Sequence, residues 1–481
     1  MYQYCKDDVT TEREISKRLY KLNPTERKVW ELDQTINLRG IKVDKPAIKS
    51  ALNVYAMAQE DLKSRLKELT GLDNPNSQKQ FLEWLQDKGV SVENTQKATM
   101  QALLEQKDIH SVHNAIRLKM SLSKTAPKKY QSMADKIGGG TRLHGNVMYH
   151  GASTGRWSST GVNLQNIARP TLDPEWCINA LSHEELALFQ MTDTDPMEAL
   201  SSSVRGMLIP DKGKKFIVGD YSSIEARALA WLAGEKDKLE IFRGHGKIYE
   251  DAASKIFKIP IADVTKEQRF MGKISELACG YGGGAGAFQI MARAYNVGIS
   301  RKQAEKIKQQ WRKANPKIVN FWYDIEQAAK DAILEGGMFQ VRGIKFAVNN
   351  NFLKCRLPSG RNLFYYHPKV EFKKVLCFKI PASGDDPEQM FLYNPLDYPS
   401  VKAFEDHAEQ AKTHTYKFLA VNIKFWGVNS KTRKFCELDT YGGKLVENIT
   451  QAVARDIMAE SMLKLEDAGY PIVLTVHDEI I

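Results

Sequence analysis

The sequence predicts an α+β fold in which helical blocks flank a small sheet. Residues 47–135 are apolar-spaced, Lys-rich and poor in Gly and Pro, which marks helices. Residues 249–334 read as a second run of consecutive helices. Two β-rich runs, FIVG (216–219) and PIVLTV (471–476), each end at or beside an aspartate, Asp220 and Asp478. Far apart in the chain, these carboxylates can still meet in one sheet.

The elements follow in order. YCKDDVTTEREISKRL (4–19) reads as an amphipathic helix already under way, and Ile481 falls inside an apolar strand-like run. Both ends therefore read as interior to a longer protein. Residues 27–46 give a helix, the turn RG and a short extended piece. In NPNSQKQFLEWLQDKG (74–89), Asn76 or Ser77 can cap a helix whose apolar face is Phe81, Leu82, Trp84 and Leu85. Residues 106–135 read as a second long basic helix carrying Lys119, Lys124, Lys128 and Lys129. GGGTR (138–142) breaks the chain before the sheet-rich part.

Residues 216–234 read as strand, turn and helix, and 337–368 as strands turning at PSG. Residues 369–425 are basic, mixed and the least informative, the pattern of a variable insertion. Residues 440–469 form a long helix ended by Gly469, with the final strand after it. There are no internal repeats and no low-complexity tract.

The 481-residue chain is long enough for more than one core, and its net charge of +11 suits a polyanionic partner. No apolar stretch is long enough to span a bilayer and no signal-peptide pattern opens the chain, so no membrane association is expected. The six cysteines form no CxxC pair, which argues against a zinc or disulfide framework and fits a reducing cytoplasm.

Chemistry concentrates in four stretches: TGRWSSTGVNLQN (154–166), DYSSIEAR (220–227), RFMGKISELACGYGGG (269–284) and TVHDEII (475–481). Asp220 and Asp478 at strand ends offer hard oxygen ligands. One such Asp is an ordinary turn former; two flanking a cationic helix are not. Arg269, Lys273 and Leu277 recur every four residues, one stripe of a helix, and a cationic stripe can hold a polyphosphate. Tyr281 and Gly282 end that helix. GYGGGAG is not a phosphate loop, since no strand precedes it and no Gly-Lys-Ser/Thr follows. Arg156, Asn163, Gln165 and Asn166 supply donors and acceptors that can read the minor groove.

In this order and spacing the four stretches resemble the primer-binding segment and the A, B and C motifs of family A DNA polymerases, particularly phage-type members; LPSGR (357–361) and YGGKLVENITQAVARDI (441–457) add to the likeness. The resemblance covers nearly the whole chain apart from about 369–425. It implies a right-hand polymerase fold with helical thumb, antiparallel palm sheet and helical fingers. The implied division is an exonuclease remnant at 1–20, a connector at 21–46, a thumb at 47–137, palm at 138–234, fingers at 235–336, and palm again at 337–481.

The implied activity is template-directed DNA synthesis in replication, with two Mg²⁺ ions as cofactors and primer-template DNA and deoxynucleoside triphosphates as partners. A processivity factor is left open. If the chain is phage-encoded, the reaction belongs in the cytoplasm of a bacterial host. By the same resemblance, Asp220, Asp478 and the Tyr221 carbonyl hold metal, with Glu479 in support. Arg269, Lys273, Leu277, Tyr281, Glu225 and Tyr249 border the nucleotide, with Lys273 near the leaving pyrophosphate and Glu225 excluding a 2′-hydroxyl. Arg156, Asn163, Gln165, Asn166, Gln451 and His477 meet the primer-template. YCKDDV matches the last motif of a proofreading exonuclease, with Tyr4 and Asp8 as the matching pair.

Two positions depart from the common pattern. Leu277 stands where many members have Phe or Tyr, and Tyr249 where many have His. A single-subunit RNA polymerase shares the three-motif logic, but Glu225 argues against it. The intact Asp220, Asp478, Arg269 and Lys273 argue against an inactive DNA-binding relic.

Overall fold

The computed structural model describes residues 2–19, 21–294, 297–381, 389–393, 398, 400–430 and 432–481. The first helix, Tyr2–Arg18, buries none of its residues. Helix Pro24–Arg39 starts where the Asn23 side chain accepts the Glu26 N–H, with Pro24 in its first turn. It stops at Gly40, whose φ is 62°; a Cβ there would lie 2.6 Å from the Leu143 carbonyl oxygen. Beyond the turn, Ile41–Lys42 pairs antiparallel with Arg142–Leu143.

Helix Lys45–Thr70 then forms the spine of the first helical block, packed on helices His110–Leu122, Lys128–Ile137 and Pro174–Ser182. Ser77, not Asn76, caps helix Gln78–Asp87 by accepting the Gln80 N–H at 3.2 Å. The long basic helix expected over 106–135 is two helices, broken before Pro127, which disfavours helical backbone in the residue ahead of it.

Three of its four lysines are committed within the protein. Lys119 is 5% exposed, with Nζ on the Pro75 carbonyl at 2.7 Å. Lys124 pairs with Asp195 at 2.7 Å and Glu198 at 2.5 Å. Lys129 donates to the carbonyls of Val162 and Asn163. Only Lys128 is exposed.

The second block comprises helices Ile224–Ala233, Ile248–Phe257, Lys266–Cys279, Ala285–Ala294, Arg301–Ala314 and Pro316–Leu334, as the sequence predicts for 249–334. Its core is shared with helix Gly442–Asp467 and with one face of a large antiparallel sheet. That sheet runs in the order 435–440, 416–428, 362–380, 352–356, 344–349 and 338–341.

The segment expected to be a variable insertion, 369–425, is an arm. It consists of the outer parts of strands Asn362–Ile380 and Tyr416–Val428, strand Gln389–Leu392 and helix Val401–Gln410. Phe378, Phe391, Phe404 and Ala408 give it a small core of its own. Residues 382–388, 394–397 and 399 of that segment lie outside the described residues.

A separate three-stranded sheet joins Thr475–Val476, Glu479–Ile480 and Gly219–Asp220, all antiparallel. Here the expected strands are shorter than their apolar runs. FIVG contributes only Gly219 to a ladder, because its partner strand is two residues long; Ile217 and Val218 remain exposed. Of PIVLTV only Thr475 and Val476 are regular, although Val473 and Leu474 exchange backbone hydrogen bonds with Ile481.

Candidate active site

The small sheet brings the two aspartates together. Asp220 lies opposite Glu479 and Gly219 opposite Ile480. Asp478 sits in the tight turn between Val476 and Glu479, where His477 adopts a φ of 52°. The Tyr221 N–H donates to the Asp478 backbone carbonyl at 3.2 Å, which fixes one motif against the other. Burial pushes the Asp478 carboxyl above the usual carboxylate range. The Arg156 charge opposes that rise, while the Glu225 and Asp220 charges add to it.

Arg156 is the hub of the site. One guanidinium nitrogen contacts Glu225 at 2.7 Å and another contacts Asp478 at 3.1 Å. Glu225 also accepts the Tyr281 hydroxyl at 3.1 Å. Burial, then the neighbouring Glu225 charge, raises the Tyr281 phenol well above its ordinary value, so Tyr281 is neutral and a donor. Four stretches distant in sequence thus form one chain of contacts: Asp478, Arg156, Glu225, Tyr281.

The cationic helix forms as predicted. Thr265 and Gln268 close a capping box at the start of Lys266–Cys279. Gly272 lets this helix lie against Ile248–Phe257; a Cβ there would stand 2.0 Å from the Tyr249 carbonyl oxygen. The Arg269 Nε holds Glu250 at 2.7 Å, and its guanidinium lies 5.3 Å from the centre of the Tyr249 ring. Lys273 is partly buried on the same stripe, and Leu277 is 38% exposed. Past the helix end, a Cβ on Gly443 would come within 2.1 Å of the Tyr281 carbonyl oxygen. Gly443 therefore lets helix Gly442–Asp467 abut Tyr281, while Gly442, whose Cβ would stand 2.1 Å from the Trp322 carbonyl oxygen, lets it abut helix Pro316–Leu334.

Other expected residues are less engaged. Asn163, with φ 51°, and Asn166 are exposed. The Gln165 side chain donates to the Trp157 carbonyl at 3.1 Å and so braces its own segment. Gln451 points its amide at Glu447, 3.4 Å away, and His477 is exposed at the hairpin tip. Tyr4 and Asp8 stand in solvent on the first helix.

Sequence reasoning missed a buried polar cluster behind the primer-binding segment. Arg455, 2% exposed, contacts Glu26 at 2.5 Å, donates to the Gly155 carbonyl at 3.0 Å and lies over the Trp157 ring at 4.8 Å. Arg361 holds Asp456 at 2.7 Å and donates to the Thr154 carbonyl at 2.9 Å. Trp157 donates to Asp33 at 3.0 Å. Burial raises the Asp33 carboxyl to about 6. Burial also acts to raise Glu26, but bonds from Arg455 and Tyr149 outweigh it and hold that carboxyl below its usual value. The one sequence signal was a charge, Arg455, among the apolar positions Ala452, Met458 and Ala459 of a long helix.

Asp220 and Asp478, with the Tyr221 carbonyl, offer hard oxygen atoms of the kind a divalent cation takes. The Tyr221 carbonyl accepts the Ile224 N–H at 3.3 Å and keeps a second lone pair. Among the described residues no three His, Cys, Asp or Glu side chains converge in a metal-holding group.

A carboxylate pair on a small antiparallel sheet is linked through Arg156 and Glu225 to Tyr281, just past a cationic helix, as expected of a nucleotidyl-transferring polymerase. The sequence profile of DNA polymerase family A matches residues 46–349. The DNA polymerase of Bacillus phage SP02 is 38% identical over 485 residues, spanning 99% of this chain and 68% of that protein. The thermostable DNA polymerase I of Thermus filiformis is 24% identical over 400 residues, 81% of this chain and 42% of that protein. A solved structure, the POL domain of Pol1 from M. smegmatis in complex with DNA primer-template and dNTP, superposes with a TM-score of 0.58 at 19% identity. It covers 95% of this chain and 62% of that one, a likeness of fold. The chain belongs to DNA polymerase family A.

Its fold is the right-hand polymerase fold, and divalent metal use is general to the family. Among the described residues no helix is long and apolar enough to cross a membrane.

Proposed function

We propose that this chain extends a DNA primer on a DNA template with deoxynucleoside triphosphates, and that Asp220 and Asp478 hold two Mg²⁺ ions for the reaction. The observation that carries this reading is the register of Asp220 against Glu479, with Asp478 in the adjoining turn. The primer 3′-hydroxyl oxygen forms a bond to the α-phosphorus of the incoming nucleotide, and the bond from that phosphorus to pyrophosphate breaks. The hydroxyl proton leaves to solvent. When bound, the ions neutralise charge on the phosphates and favour the alkoxide.

The chain's own residues orient the partners. Arg269 and Lys273 hold the β- and γ-phosphates, with Lys273 at the leaving group; Tyr249 donates to phosphate. Leu277 borders the sugar and Tyr281 the base. Glu225, fixed by Arg156 and Tyr281, fills the space of a 2′-hydroxyl. Arg156, Asn163, Gln165, Asn166, Gln451 and His477 face the primer-template. Residues 47–137 serve as thumb, 138–234 and 337–481 as palm, and 235–336 as fingers, with 21–46 as connector. Tyr4 and Asp8 are the remnant of an exonuclease motif in residues 1–20. The phage relative supports a role in replication in a bacterial cytoplasm.

The test is primer extension on a defined template with dNTPs or NTPs, with Mg²⁺ or a chelator. Template-matched, Mg²⁺-dependent addition of dNTPs is expected. Preferential addition of NTPs would favour the RNA polymerase reading instead, and addition in the presence of chelator would remove the metal assignment.

A further inference from the structure

The large sheet has one face in the core and one in solvent, and the open face carries a row of aromatic rings. Strand pairing sets the row: Phe352 lies opposite Tyr366, Tyr366 opposite Trp426, and Phe435 opposite Val428, two residues along from Trp426. Phe364, two residues before Tyr366, shares the face. Leu353, Cys355, Leu363 and Tyr365 alternate with these rings and are buried on the other side.

Ring centroids follow one another at 5.8 Å from Phe435 to Trp426, 6.4 Å from Phe435 to Tyr366, 5.0 Å from Tyr366 to Phe352 and 5.9 Å from Phe352 to Phe364. Exposure is 57% at Phe435, 42% at Trp426 and 43% at Phe364. That much aromatic surface in water is costly unless something covers it.

Charge identifies the cover. Lys354 stands opposite Phe364, and Arg356 opposite Lys345, on the same face. Among the described residues none of these three cations is in an ion pair. The acidic residues of the face, Glu371, Glu437 and Asp439, are held by Lys424, with Lys369 also on Glu437. The face therefore presents rings flanked by uncommitted positive charge. Bases stack on aromatic rings while cations follow the phosphates, and the combination on an open sheet is the chemistry of single-strand recognition.

We propose that this sheet face, with Phe352, Phe364, Tyr366, Trp426 and Phe435 as stacking rings and Lys345, Lys354 and Arg356 as phosphate contacts, binds single-stranded DNA. Binding at this face is independent of the catalytic site. Which strand it holds, unpaired template or displaced strand, rests on the function proposed above.

The test is anisotropy of labelled oligo(dT) with the full chain and a Phe364→Ala/Trp426→Ala/Phe435→Ala variant. All three rings are exposed, so an unchanged Tm is expected to accompany the loss. Affinity for oligo(dT) should fall about tenfold or more, since each stacked base contributes measurably. Affinity for blunt duplex, and extension across a one-nucleotide overhang, should be unchanged. A Lys354→Ala/Arg356→Ala variant, which keeps every ring, should weaken oligo(dT) binding and flatten its salt dependence.

A long template overhang and a 5′ flap are compared as two further substrates. Loss on the overhang assigns the template strand, and loss on the flap assigns the displaced strand. Oligo(dT) affinity within twofold of wild type in both variants overturns the proposal. So does a ring variant that abolishes self-association by sedimentation while still binding oligo(dT). Neither readout needs nucleotide addition, so failure here is separable from failure of the polymerase reading.

Discussion

Arg156 holds Asp478 at 3.1 Å across 322 residues of chain, and the same guanidinium holds Glu225 at 2.7 Å. The carboxylate assigned to metal and the carboxylate assigned to sugar selection thus share one cation. Tyr281, at the end of the cationic helix, completes the chain through its 3.1 Å hydrogen bond to Glu225.

Glu225→Ala should lower the ratio of kcat/KM for dNTP over NTP by about tenfold or more, the discrimination that a contact of a few atoms supplies. The dNTP rate should fall as well, because Tyr281 loses its acceptor and Arg156 one of its two partners. Steady-state kinetics with both nucleotide types measure this, and an unchanged ratio would locate sugar selection elsewhere.

Leu277→Phe should change kinetics without changing the fold. Leu277 is 38% exposed, so the added ring does not overfill a sealed core and the stability change should stay within about 0.5 kcal/mol. A flat ring beside the sugar should orient the nucleotide better and speed single-turnover addition. Discrimination against 3′-deoxy analogues should also shift. If both quantities match wild type in a stable variant, Leu277 does not border the nucleotide.

Much of the site was legible because its signals are local. Asp220 with Tyr221, Asp478 with Glu479, and the four-residue spacing of Arg269, Lys273 and Leu277 need only neighbouring residues to be read. What long-range contacts decide was not legible. Lys124 looked like a free cation until its partners Asp195 and Glu198, more than 70 residues on, closed around it. FIVG carries strand propensity along its length, but ladder length is set by a partner only two residues long. The arm at 369–425 has its own core, built from aromatic residues whose spacing follows no single period.

Arg455 was the largest omission, and its removal should be costly. Arg455→Met leaves Glu26 buried without its counter-charge and frees the Gly155 carbonyl, a loss of about 3–5 kcal/mol. Replacing Glu26 with Gln in the same chain should recover part of it. Denaturant unfolding of the single and double variants tests this; a loss below about 1 kcal/mol would mean that the cluster is not a structural anchor.

Asp33 gives the stability a defined pH dependence. Its carboxyl titrates near 6 when folded, against 3.8 as the reference value, so between those values the folded state binds the extra proton. Stability from this group is therefore present at low pH and is lost as pH rises from about 4 to about 6. The change is on the order of 1–3 kcal/mol. Relative to wild type, Asp33→Asn should lack that decline. Urea unfolding across pH 4–7 reads the difference, and parallel curves for the two proteins would contradict it.

In the proposed function Asp220 and Asp478 hold the ions that drive phosphoryl transfer, while other residues hold DNA. Single-turnover incorporation by Asp220→Ala and Asp478→Ala, measured beside their affinity for primer-template duplex, tests it most directly. Losing metal-borne charge stabilisation of several kcal/mol should slow incorporation on the order of 10³-fold or more. Duplex affinity should stay within a few-fold of wild type, because phosphate contacts are made by cations elsewhere. Incorporation at near wild-type rate by either variant would show that the carboxylate pair is not the catalytic centre.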